Sequence, residues 1–200
     1  MEKEELIKSL EKKEFGKEII KAFKKVNRTI FVPKESKELT YEDTALSIGS
    51  EQTISQPSTI AFMLNLLDIK EGQKILEIGS GSGYVLALLA EMNKEGTIIG
   101  VERIKELAKE SKPRLKKYKN VKIIHGNALT DIKDQKFDRI LVSASFKEIP
   151  KEIIEKNLNT NGIFVGPVKN SIVKLSRESG DLKVREFYGF SFVPIVSEED

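Results

Sequence analysis

The segment KILEIGSGSGY at residues 74–84 constrains this chain more than any other stretch. Residues 74–78 have the aliphatic run of a short buried strand, Gly79, Gly81 and Gly83 form a turn, and residues 84–92 continue as an apolar helix. A turn built on glycine lets the backbone come close to a ligand. Further along, TIIGVE (97–102) predicts a second strand ending in Glu102, where a carboxylate can accept hydrogen bonds from ribose hydroxyls.

The spacing discriminates between cofactors. Gly79-Ser80-Gly81-Ser82-Gly83 is G-x-G-x-G, whereas the dinucleotide fingerprint is G-x-G-x-x-G opening onto a pyrophosphate. Glu77, inside the first strand, would repel a pyrophosphate but suits a ligand with an amino group and a sulfonium. S-adenosylmethionine therefore fits better than NAD. A tight turn with no ligand is the plain alternative for the loop, and Glu102 argues against it.

Two hundred residues can bury one good core, so one domain is expected, with residues 1–55 as a helical and loop extension contributing to a substrate site and residues 56–200 as the cofactor-binding core. The net charge of +3 is small, and Lys and Glu are interspersed, which points away from nucleic acid and membrane surfaces. No stretch approaches a transmembrane span, and the start MEKEELIKSLEKK lacks the basic and apolar regions of a signal peptide, so a cytoplasmic protein is expected. With no Cys and His125 as the single His, metal sites would fall to carboxylates alone, and none is expected.

Along the chain, residues 2–10 and 15–26 read as helices, and Phe31-Val32-Pro33 ends that region. Residues 34–53 read as polar loop; a helix resumes over 57–67, with Ser55 as a candidate N-cap. Then follow strand 97–102, helix 104–118, strands 121–125 and 137–144, helix 151–158 and strand 162–168. Residues 172–176 and 183–195 read as strands joined by a turn at Glu178-Ser179-Gly180-Asp181. Such alternation implies an α/β fold with an open, doubly wound, mainly parallel sheet, antiparallel C-terminal edge strands and N-terminal helices.

Ser55 lies where an exposed hydroxyl, a Pro and a helix start converge. As structure it is an N-cap; as function it needs an anionic partner, which the helix N-terminus, with about half a positive charge, could orient. His125 ends a strand and is given no catalytic role. A hydrolase triad fails, because neither Ser80 nor Ser82 satisfies G-x-S-x-G and no second His exists. The Lys-rich helix at 104–120 reads as a solvated face.

In order and spacing, FVP (31–33), YED (41–43), IGSEQTISQP (48–57), EIGSGSGY (77–84), VER (101–103), HGNA (125–128), EIP (148–150) and GPV (166–168) resemble the protein-L-isoaspartate O-methyltransferase family over nearly the whole chain. QTISQP is that family's own signature; the glycine loop and Glu102 are shared by class I methyltransferases generally. The resemblance implies methyl transfer from S-adenosylmethionine to the α-carboxylate of L-isoaspartyl residues in damaged proteins or peptides. A monomer is expected, and the small, interspersed charge argues against a membrane or nucleic-acid partner. The resemblance makes Ser55 the active-site serine and puts Gln52, Thr53 and Ile54 against cofactor and substrate. Glu77, Gly79 and Gly81 would cradle the methionine end, Glu102 the ribose, and Asn127 with Ala128 the adenine. Ser80 and Arg103 complete the cofactor-binding set.

The chain departs from the family pattern at four places. Asn127-Ala128 replaces the usual Asp-Gly, Glu51 stands where many members have Gly, Ser145-Phe146-Lys147 replaces a run of small residues, and Lys169 replaces a Gly. Rival readings are a methyltransferase for another carboxylate or for tRNA, and a cofactor-binding homologue without transfer activity.

Overall fold

A computed structural model describes residues 1–178 and 181–195. Seven strands form the main sheet: β3 (Lys74–Ile78), β4 (Thr97–Glu102), β5 (Val121–His125), β6 (Phe137–Val142), β7 (Leu158–Val168), β8 (Ser171–Glu178) and β9 (Asp181–Tyr188). Their order is β5-β4-β3-β6-β7-β8-β9, parallel through β7 and antiparallel at β8 and β9. The chain thus winds outward from β3 in both directions. Such a switch point leaves a crevice at the carboxyl ends of the central strands.

Side chains alternate across the sheet as the two-residue period of a strand demands. Ile75, Ile98, Leu141, Ile163 and Val165 join the core on one face, while Leu76, Ile78, Ile99, Ile140, Val142 and Phe164 join the core on the other. The first core contains α3 (Pro57–Leu67), α4 (Tyr84–Met92) and α5 (Lys105–Arg114); the second contains α6 (Ala128–Asp131) and α7 (Lys151–Asn157).

Every residue of α4 from Tyr84 to Ala90 is buried, so it needs cover on both sides. The sheet supplies one. α1 (Lys3–Lys12) and α2 (Lys17–Lys25) supply the other through Leu6, Leu10, Ile20 and Phe23, whose ring meets Tyr84 edge-on at 6.2 Å between centroids. The N-terminal helices therefore share one core with the sheet.

Several boundaries differ from the sequence reading. Residues 34–53 are not simply loop: after 3-10 turns at Arg28–Ile30 and Lys34–Leu39, β1 (Leu46–Gly49) and β2 (Gln52–Ile54) pair as an antiparallel hairpin. The strands are too short and polar to announce themselves; Ile48 and Ile54 are their buried anchors. α5 stops at Arg114 rather than 118, because the amides that follow turn to carbonyls three residues back, Lys116 N–H to Pro113 at 3.4 Å and Tyr118 N–H to Leu115 at 2.9 Å. β7 begins at Leu158, directly after α7, instead of 162. The last strand ends at Tyr188 because Gly189 turns the chain at φ +94°. Residues 190–195 instead cross toward the loop after β6, forming a parallel bridge between Ser145 and Pro194. Within the expected turn between β8 and β9, Ser179 and Gly180 lie outside the described residues. No helix among the described residues is long and apolar enough to cross a membrane.

Candidate active site

The carboxyl ends of β3, β4 and β6 and the loops that follow them open onto a cleft of about 950 Å³. Gln52, Thr53, Ile54 and Ser55 line it from the hairpin, and Glu77, Gly79, Ser80 and Gly81 from β3 and its loop. Glu102 and Arg103 line it from the end of β4, and Asn127 and Ala128 from the start of α6. One cavity thus contains every site residue expected from the sequence.

The glycine loop is held by its own backbone. The Gly79 and Ser80 amides donate to the Val101 carbonyl at 2.9 and 3.2 Å, and Gly83 N–H donates to the Ser80 carbonyl at 2.8 Å. Gly83 sits at φ +86°, a left-handed conformation that strains an L side chain, and a Cβ there would also crowd Leu115 Cδ1 at 2.7 Å, so backbone conformation above all favours glycine at the loop's third position. Gly81 N–H points instead at Glu102 Oε2, 2.7 Å away.

Glu102 also accepts from Ile104 N–H at 2.8 Å through Oε1. A carboxylate has about four lone-pair sites, so two backbone bonds leave acceptor capacity for a diol.

Glu77 is buried at 1 % exposure. Its Oε1 accepts from Ser143 Oγ at 2.8 Å, while Oε2 has no hydrogen-bond partner among the described residues. Burial pushes this carboxyl up to about 8, with the Glu102 charge adding to the rise and the Ser143 hydroxyl opposing it. At neutral pH the group is therefore mostly protonated until a cation arrives. Ser80 Oγ is likewise buried without a partner. Two orphaned polar groups beside the glycine loop suit a ligand that carries an ammonium and hydrogen-bonding groups, as S-adenosylmethionine does.

Asn127 is partly committed. Its amide oxygen caps α6 by accepting from Leu129 N–H at 2.9 Å, and its own N–H donates to Asp131 Oδ2 at 2.8 Å. Ala128, 7 % exposed, closes the same wall.

Ser55 is not the N-cap of α3. Gln56 holds that position without a side-chain bond, and the Ser58 amide is taken at 2.8 Å by Asp43 Oδ1; partial burial raises the Asp43 carboxyl, but the hydrogen bonds from Ser58 and Gln56 and the Lys13 charge together hold it below its usual range. Ser55 instead follows β2 on the cleft wall, and its carbonyl accepts from Arg28 Nη2 at 3.1 Å. Its hydroxyl is thus not spent on capping. His125 ends β5 exposed.

Sequence reasoning missed three contributors. Ser143 lies just past the end of β6, at a position that the expected strand had absorbed. Asp43 belongs to the YED motif and supplies the cap expected of Ser55. Val193, Pro194 and Ile195 line the cleft because Ser145 N–H donates to the Val193 carbonyl at 2.8 Å and Ile195 N–H to the Ser145 carbonyl at 2.9 Å. Two departures acquire a backbone meaning: Glu51 and Lys169 have φ +57° and +54°, the left-handed region where glycine is at ease.

An open doubly wound sheet with a glycine loop after its central strand and an acid closing the next defines a Rossmann-like methyltransferase fold. The backbone superposes with TM-score 0.88 on a protein-L-isoaspartate O-methyltransferase structure at 23% identity, covering 98% of this chain and 66% of that one. The chain belongs to the protein-L-isoaspartate(D-aspartate) O-methyltransferase family, whose model matches residues 1–200. It is 36% identical to the protein-L-isoaspartate O-methyltransferase of Ignicoccus hospitalis over 98% of both chains. It is 40% identical to that of Dictyoglomus turgidum, over 92% of this chain and 85% of the relative. A Plasmodium falciparum structure assigned to the same enzyme, in complex with S-adenosyl-L-homocysteine, matches with TM-score 0.81 and 28% identity over 95% of this chain and 96% of its own.

Proposed function

We propose that this chain methylates the α-carboxylate of L-isoaspartyl residues in damaged proteins, using S-adenosylmethionine. The observation that carries the reading is that one cleft joins the 52–55 signature segment to a buried acid lacking a cation and to an acid with spare acceptor sites. When bound, the cofactor supplies an electrophilic methyl group on a sulfonium.

Glu77 would hold the amino group, Glu102 the ribose diol, and Asn127 with Ala128 the adenine edge, with Ser80 and Arg103 beside them. Ser55 would donate its hydroxyl to one oxygen of the substrate carboxylate and leave the other free to attack. No general base is needed, since a carboxyl group with an ordinary pKa near 4 is already ionised at neutral pH. Positioning does most of the work: aligning the reacting groups contributes about 7–11 kcal/mol through avoided entropy loss. The methyl ester then activates the carboxyl carbon toward the following backbone nitrogen, which expels methanol and closes a succinimide that can reopen to normal aspartate.

We further read the chain as one domain acting as a cytoplasmic monomer, with residues 1–55 building the substrate wall. The shared core of the N-terminal helices and the hairpin's place on the cleft support this arrangement. The test is methyl transfer from labelled donor to two synthetic peptides that differ only in an isoaspartyl or an aspartyl linkage. Label on the isoaspartyl peptide alone supports the proposal; equal labelling of both, or of neither, rejects it.

A further inference from the structure

Arg28 is fully enclosed, at 0 % exposure; its guanidinium donates to carbonyl oxygens and lies against the Tyr84 side chain, yet it forms no salt bridge with a carboxylate among the described residues. Nη2 donates to the Ser55 carbonyl at 3.1 Å and reaches that of Thr44 at 3.5 Å, while Nε and Nη1 have no hydrogen-bond partner among the described residues. The guanidinium carbon stands 5.1 Å from the centroid of the Tyr84 ring, which opens α4 and lines the cleft. Asp43, whose charge acts on Arg28, spends its carboxylate on Ser58 N–H at 2.8 Å and on Lys13 at 3.5 Å.

An enclosed cation without an ion pair is costly, and a long apolar side chain could fill the same space with less penalty. The cost is placed directly behind the peptide unit of Ser55. Charges act more strongly across a poorly solvated interior than through water. A carboxylate arriving at the Ser55 hydroxyl would be the counter-charge that this site lacks.

We propose that Arg28 is a substrate-positioning residue: it fixes the Ser55 backbone through the carbonyl and its enclosed charge draws the substrate carboxylate to the Ser55 hydroxyl. The inference rests on the function proposed above. It assigns Arg28 to the peptide and not to the cofactor.

The experiment compares Arg28→Met, Arg28→Gln and Arg28→Lys with the unmodified protein, reading peptide KM and kcat, S-adenosylhomocysteine Kd by calorimetry, and thermal midpoint. Arg28→Met and Arg28→Gln should raise peptide KM about tenfold or more while the cofactor Kd stays within about twofold, and Arg28→Lys should recover most of the loss. An unchanged KM, a parallel loss of cofactor affinity, or a Lys variant no better than Gln would overturn the proposal. If Arg28→Met does not fold, the Gln and Lys pair decides. An unmodified protein that methylates neither peptide would instead sink the functional reading itself.

Discussion

Gly81 and Glu102 are joined by a 2.7 Å hydrogen bond from the loop amide to the carboxylate, which ties the turn after β3 to the end of β4. With the second oxygen on Ile104 N–H, one side chain organises both walls of this end of the cleft.

Replacing Glu102 should therefore damage shape and recognition together. Glu102→Gln sets an amide NH₂ against one backbone N–H and removes the charge that strengthens such bonds, each worth about 1.5–3 kcal/mol. S-adenosylhomocysteine should bind about 10–100-fold more weakly by calorimetry, with a lower thermal midpoint. An affinity within about twofold would show that the ribose is held elsewhere.

Glu77 gives a pH signature. Its carboxyl is raised from 4.5 to about 8 in the folded protein, so folding carries no penalty below pH 4.5, where folded and unfolded forms are both protonated. The penalty grows as pH rises through that window and levels off above about 8. Glu77→Gln should thus stabilise the cofactor-free protein increasingly from pH 5 to 8, by an amount on the order of a few kcal/mol at the upper end, measured by denaturant unfolding. In the unmodified protein, an ammonium beside Glu77 would restore ionisation. Cofactor binding near pH 7 should release a proton, seen as a dependence of the calorimetric enthalpy on buffer ionisation; no such dependence would contradict the pairing.

For Ser55, removal of one hydrogen bond to a charged substrate group predicts a selective loss. Ser55→Ala should lower kcat/KM for an isoaspartyl peptide by about 10–100-fold and leave cofactor Kd within about twofold. Equal losses in both would place the side chain on the cofactor.

The hairpin tip supplies a stability prediction. Ser50 and Glu51 follow one another at φ +51° and +57°. A left-handed conformation costs an L-residue about 1–2 kcal/mol, while Gly is free of that strain but loses about 0.5–1 kcal/mol through chain entropy. Glu51→Gly should leave stability unchanged or raise it by up to about 1 kcal/mol, whereas Glu51→Val should lower it by at least about 1 kcal/mol. Chemical denaturation distinguishes the two outcomes.

The parallel core was legible because its signals are local: aliphatic runs at 74–78 and 97–102, glycines after the first and an acid at the end of the second. The antiparallel edge was legible through the two strands flanking residues 178–181. What escaped was set by tertiary contact. β1 and β2 are four and three residues long and depend on the anchors Ile48 and Ile54. Ser55 had the composition of a cap, but Asp43, distant in sequence, took the amide. The 190–195 segment read as strand by its apolar content, yet Gly189 redirects it onto Ser145. Nothing local foretold that Arg28 would be enclosed beneath the Ser55 carbonyl.

The most direct measurement is a crystal structure with S-adenosylhomocysteine and an isoaspartyl peptide bound together. The account predicts the ribose diol on Glu102, the amino group against the unpartnered oxygen of Glu77, and the peptide carboxylate on the Ser55 hydroxyl. A nucleoside lodged outside the β3–β4 crevice, or a carboxylate that bypasses Ser55, would contradict it.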